Sequence, residues 1–159
     1  MKKINSFRQL ILIVIVLTCF GLNAQHNYTA DDLSINFLKR TYENAFMNVT
    51  EVENTYIVVK EVFNIYVEID SNKRYIVLSA AYPLRENATE AEILQLMNKL
   101  NSEIILAKFY YSKASHSIGY VYYFWTERGF NSASLLSATK LFSQAINLSL
   151  DKDTTMIIK

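Results

Sequence analysis

Two runs joined by a turn decide the fold class: Val62-Phe63-Asn64-Ile65-Tyr66-Val67-Glu68-Ile69-Asp70, then Ser71-Asn72-Lys73, then Arg74-Tyr75-Ile76-Val77-Leu78-Ser79-Ala80-Ala81-Tyr82-Pro83. In the first run Phe63, Ile65, Val67 and Ile69 alternate with Asn64, Tyr66, Glu68 and Asp70. A side-chain period of two is that of a β-strand with one dry face. Asp70 to Lys73 is a turn cluster, so Arg74 to Tyr82 reads as the returning strand. Pro83, the only proline, lacks an N–H and is expected to end the pairing.

Outward from this hairpin the period changes. Upstream, Tyr56-Ile57-Val58-Val59 is a short β-branched run, and Glu51 and Glu53 fall in a polar connection. Before that, Ile35, Leu38, Tyr42, Ala45, Phe46 and Val49 recur at helical steps, predicting a helix from about Ala30 to Asn48. Thr29 and Asp32 have the spacing of a capping box for it. Downstream, Thr89 and Glu92 repeat that spacing ahead of Ile93, Leu96, Met97, Leu100 and Ile104. Leu106 to Lys113 and Ile118 to Thr126 predict a second hairpin. Ser132 is placed to cap a last helix lined by Leu135, Ala138, Phe142, Ala145 and Ser149, with Leu141 and Leu148 widening the stripe. The end, Met156-Ile157-Ile158, either extends a strand or hangs free. The predicted order is α-β-β-β-α-β-β-α, an α+β domain with an antiparallel sheet and helices on one face.

The first 24 residues read differently. Lys2, Lys3 and Arg8 precede the apolar run Leu10 to Leu22, and Ala24 follows. A basic start, a short apolar core and a small residue at the cut describe a secretory signal peptide. Cleavage after Ala24 is the expectation, with residues 25–159 forming one domain whose core spans about 30–150. The run is short for a membrane span, which needs about 20 apolar residues. An uncleaved anchor and a lipid on Cys19 are the alternatives to release into the periplasm or medium. Loss of three bases turns the formal charge from +1 to −2. Such a chain has no electrostatic footprint for nucleic acid or an anionic membrane. Cys19 is the only cysteine, so a disulfide within the mature chain is excluded.

Residues Leu96 to Leu136 carry a more particular pattern. Met97-Asn98-Lys99-Leu100-Asn101 ends a helix, Ala107-Lys108-Phe109-Tyr110 opens an aromatic strand, and Gly129-Phe130-Asn131-Ser132-Ala133-Ser134-Leu135 starts the last helix. With the order of elements, this resembles the YbjN family, whose domains share the type III secretion chaperone-like fold; the chain reads as an exported variant. The resemblance implies a non-enzymatic α+β domain, often dimeric, in a fold class that binds protein segments. It supplies no catalytic residues.

The chemistry available is sparse. His26 and His116 are the only histidines, too few with the acids at these spacings for a zinc site. His116 reads as an exposed turn residue. Asp31/Asp32 and Glu90/Glu92 occupy the first turns of helices, where they complement the helix dipole. Ser115-His116-Ser117 places hydroxyls beside an imidazole in sequence only. No cofactor, metal or catalytic residue is therefore predicted. What stands out is a surplus of rings on the strands. Tyr66 and Tyr110 fall on the polar side, those of the last hairpin spread over both of its faces with the dry one undecided, and Tyr66, Tyr110, Tyr123 and Trp125 are the candidate surface. Rings of this kind are enriched at interfaces. The expectation is an interaction surface for a second copy or a protein segment. A small-ligand or glycan site is the alternative, and a hydrolase using His116 comes third.

Overall fold

The computed structural model describes residues 27–159. The signal-peptide reading of residues 1–24, the cut after Ala24, and Cys19 and His26 all lie outside the described residues. A 3₁₀ turn at Ala30–Asp32 leads into helix α1 (Ile35–Asn44). Four strands follow: β1 (Asn48–Val52), β2 (Tyr56–Lys60), β3 (Asn64–Ile69) and β4 (Tyr75–Pro83). Then come helix α2 (Glu90–Glu103), the hairpin β5 (Lys108–Ser112) and β6 (Ser117–Trp125), and helix α3 (Ser132–Lys152). One antiparallel sheet runs β1-β2-β3-β4-β6-β5, so the last hairpin joins through its second strand and leaves β5 at the rim.

The alternation in the sequence sets which face is dry. Ile65 and Val67 of β3, Ile76, Leu78 and Ala80 of β4, and Ile118 and Tyr120 of β6 are buried beneath the helices. Leu38 and Tyr42 of α1, Ile93, Met97 and Leu100 of α2, and Leu135, Phe142 and Ile146 of α3 close on them. Two buried hydroxyl pairs fix helix α3 to its neighbours. Tyr42 Oη meets Thr139 Oγ1 at 2.7 Å, and Tyr120 Oη meets Ser149 Oγ at 2.9 Å. Burial holds both phenols neutral, raising the Tyr42 pKa and pushing that of Tyr120 up to about 12.

Several local expectations are corrected. The first helix does not run from Ala30 to Asn48. Leu33 turns extended into the core, and Ser34 caps a new start, its Oγ accepting from Phe37 N–H at 3.1 Å. The Thr29–Asp32 pair closes the 3₁₀ turn instead, with Asp32 Oδ2 accepting from Thr29 N–H at 2.7 Å. At the other end Met47 N–H reaches Tyr42 O and Phe46 N–H reaches Glu43 O, a Schellman stop with Phe46 in the left-handed position. Phe46 is thereby thrown into solvent rather than onto the stripe. The polar segment holding Glu51 is an additional edge strand, β1, bulged between Val49 and Glu51. Asn131, not Ser132, caps α3, accepting from Ser134 N–H at 2.8 Å. Leu141 and Leu148 face outward.

The C-terminal end is docked. Ile158 bridges Leu84 antiparallel, Arg85 N–H donates to Ile157 O at 2.8 Å and Lys159 N–H donates to Pro83 O at 3.0 Å. Pro83 does not end the pairing but sits opposite Ser117, in a pair that needs no proline N–H. Buried Asp153 pins the strap, its Oδ2 accepting from Ile158 N–H at 2.7 Å. Ile157 and Ile158 are both buried.

Candidate interaction face

Helices cover one face of the sheet, and the other carries the rings. The register places Tyr66 opposite Ser79, Ser79 opposite Val121, and Val121 opposite Lys108. One row along, Glu68 faces Val77 and Val77 faces Tyr123; in the next, Tyr75 faces Trp125. Cross-strand partners share a face. Tyr66, Tyr110, Tyr123 and Trp125 therefore stand on one surface left uncovered by the described residues, at 42%, 48%, 45% and 65% exposure. The four sequence-predicted site residues share that face but do not form one cluster. Trp125 and Tyr123 meet the Tyr75 ring edge-on, with centroids 5.5 and 5.2 Å away. Tyr66 instead leans on Tyr56 at 5.5 Å. Between the groups lie the small residues Ser79, Ala81 and Gly119. At about 4.8 Å per strand this floor is roughly 10 Å wide.

Tyr110 occupies part of that floor. Its ring lies over Gly119, directly opposite on β6, where an added Cβ would come within 2.1 Å of the ring carbon Cζ. Gly119 is thus the residue that lets the ring lie flat. Gly119→Ala is expected to cost about 2 kcal/mol, in the range of overpacking, and close to nothing in a Tyr110→Ala background. A denaturant double-mutant cycle reads the coupling; equal costs in both backgrounds would contradict the stacking.

The face is close to charge-balanced, with Glu51 and Glu68 set against Lys60 and Lys108. Tyr56 donates to Glu51 Oε1 at 2.7 Å, and that bond pushes the phenol up to about 12, so it remains a neutral donor. Tyr56 and Tyr75 belong to the surface as well, beyond the four residues expected there. Their signal was the same alternation, through Tyr56-Val58-Lys60 and Tyr75-Val77-Ser79.

Elsewhere the reactive groups are otherwise engaged. His116 is not an exposed tip residue: Nδ1 lies 3.1 Å from Tyr111 Oη and Nε2 lies 3.1 Å from Arg85 O. The carbonyl can only accept, so Nε2 carries a proton and the ring clamps the hairpin to the segment after β4. Ser115 bonds to Ser112 and Ser117, not to the imidazole. Glu92 closes the cap of α2, and its bonds to Thr89 hold the carboxyl below its usual range; Glu90 pairs with Lys113. Among the described residues no three His, Cys, Asp or Glu side chains converge on a common point. No helix among them is long and apolar enough to cross a membrane.

No family model matches the chain, and no curated protein matches it. A solved structure does: YbjN from E. coli, described as a candidate transcription regulator, aligns with a TM-score of 0.69. The fold is the YbjN fold. The match covers 80% of this chain and 96% of YbjN at 10% sequence identity. At that identity the likeness is one of backbone architecture, an α+β domain on an antiparallel sheet. The YbjN likeness carries no side-chain roles to these positions.

Proposed function

We propose that this protein is an exported, non-enzymatic interaction module that binds a protein segment, or a second copy of itself, through the aromatic sheet face. The observation that carries this reading is the half-exposed set of Tyr66, Tyr110, Tyr123 and Trp125 on a face that no helix covers among the described residues. Exposed rings in a polar surround mark contact surfaces, because monomers rarely leave such patches bare. The engaged imidazole and capped carboxylates favour recognition over catalysis. Glycan binding is the weaker alternative. A sugar stacks on a flat ring, whereas Tyr75 meets Tyr123 at 88° and Trp125 at 68°. Balanced charge on the face likewise gives a nucleic-acid backbone little to hold.

The test is a Tyr123→Ala/Trp125→Ala double variant, crosslinked in the envelope of its native cells and sized by light scattering. Its melting temperature should stay within a few degrees of the parent, since Trp125 is mostly and Tyr123 about half exposed. Association with itself or with the crosslinked partner should weaken at least tenfold. An unchanged crosslinking pattern and an unchanged mass would remove the proposed surface.

A further inference from the structure

The hydrogen-bonding rims of the sheet are treated unequally. On one outer side β1 is short, bulged and carries the charge of Glu51, devices that discourage a further strand. On the other, the Asn101 side chain takes the place of a neighbour for β5. Its Oδ1 accepts from Phe109 N–H and its Nδ2 donates to Phe109 O, both at 2.9 Å. Where Pro83 to Arg85 run beyond the pairing of β3, the C-terminal strap fills the rim. One rim is left. β5 pairs with β6 only as far as Lys108 opposite Val121, while β6 continues to Trp125.

The backbone there points outward. Thr126 N–H donates to Arg74 O and Leu84 N–H to His116 O. In an antiparallel ladder bonding alternates, so the even-numbered residues of β6 bond to β4 and the odd-numbered ones face β5. Tyr123 and Trp125 accordingly present N–H and C=O groups to a side on which no strand lies among the described residues. A notch of about 440 Å³ opens there, bordered by Leu106, Tyr122, Tyr123, Trp125 and fully exposed Ile105, with Lys108 at its head.

We propose that this notch receives an extended segment of a partner protein as an added strand beside Tyr122–Trp125. Two unpaired peptide groups in an apolar setting are matched by another backbone, not by a helix or a sugar. The strap shows that this sheet accepts such an addition: three residues, led by Ile157 and Ile158, pair with 83–85 and bury two side chains. Lys108 makes no ion pair among the described residues, so the guest carries an acid beside it and apolar side chains beyond. Four residues of strand span about 13 Å, which sets the length of the contact. The inference rests on the proposed function for the partner being a protein segment, and adds where and how it binds.

The probes are synthetic octapeptides of alternating valine and threonine with one glutamate placed at each position in turn, their lysine counterparts, and versions N-methylated at alternate amides. Trp125 fluorescence reads binding, and amide hydrogen exchange reads the rim. In the free protein Tyr123 should exchange quickly and Tyr122 and Phe124 slowly, with Tyr123 slowing when peptide binds. N-methylation should weaken binding at least tenfold, and Lys108→Glu should reverse the preference for glutamate over lysine. Phe46→Ala, exposed beside β1 at the opposite edge of the sheet and outside the aromatic face, should change affinity less than twofold. Equal binding of N-methylated peptides together with loss in Tyr66→Ala would sink the added strand while leaving the aromatic face intact. A Tyr123 amide already protected in the free protein, whether in a monomer or in a dimer seen by light scattering, would overturn the proposal. So would failure of every peptide to bind at 1 mM.

Discussion

Removal of Ile157, Ile158 and Lys159 is expected to lower the free energy of unfolding by about 5 kcal/mol. Each buried isoleucine contributes about 1.5–3 kcal/mol, and both are nearly inaccessible to solvent. The deletion also strips the partners from Arg85 N–H and Pro83 O, and leaves buried Asp153 without the amide it holds. Leu84, buried under the strap, would be opened to water. Domains of this size carry about 5–15 kcal/mol in total, so the truncated chain should be marginal at room temperature. Urea denaturation followed by far-UV circular dichroism measures this directly. A midpoint unchanged from the full chain would mean that the last residues are ornament. Ile157→Ala alone should cost about 2–4 kcal/mol, separating the packing share from the hydrogen bonds.

Asn101 does for β5 with a side chain what the strap does for Leu84 with backbone. Besides its two bonds to Phe109, its Nδ2 donates to Met97 O at 3.0 Å, tying the end of α2 to the rim of β5. A net worth of about 0.5–1.5 kcal/mol per bond, discounted because the site is partly open to water, gives about 2 kcal/mol for Asn101→Ala. Asn101→Asp should cost at least as much at neutral pH, because a carboxylate would face two carbonyl oxygens with nothing to donate. The deficit should shrink as pH falls and the introduced acid protonates, regaining one donor. Amide exchange at Phe109 supplies the specific readout. If Phe109 exchanges no faster in either variant, Asn101 is not what shields it.

The period-two alternation of Val62 to Tyr82 made the central hairpin, and with it the dry and wet faces, readable before any coordinates. The alternation put Tyr66 away from the core, and Tyr110 fell opposite Phe109; the side on which Tyr123 and Trp125 stand came only with the register of β6 against β4 and β5. What the alternation could not convey was the order of strands. Nothing local tells β6 to lie beside β4 and carry β5 to the rim, because that is settled by which apolar row completes the core under α2 and α3. The break at Leu33 was hidden for a related reason. A single leucine drawn inward overrides a continuous helical stripe, and Ser34 then serves as a cap that competes with Thr29. β1 was obscured because its residues are mostly exposed and its bulge interrupts the alternation. Of the candidate surface, the rings were legible and the open rim beside them was not, since unpaired backbone groups leave no mark in side-chain chemistry.

The strap has a further consequence for how the protein comes into being. Arg85 and Thr155, which it joins, are 70 positions apart. A chain that emerges N-terminus first leaves the groove beside Leu84 open until the residues that seal it arrive. Until then the nascent chain has an unfinished interior, and maturation is timed by the arrival of its final isoleucines.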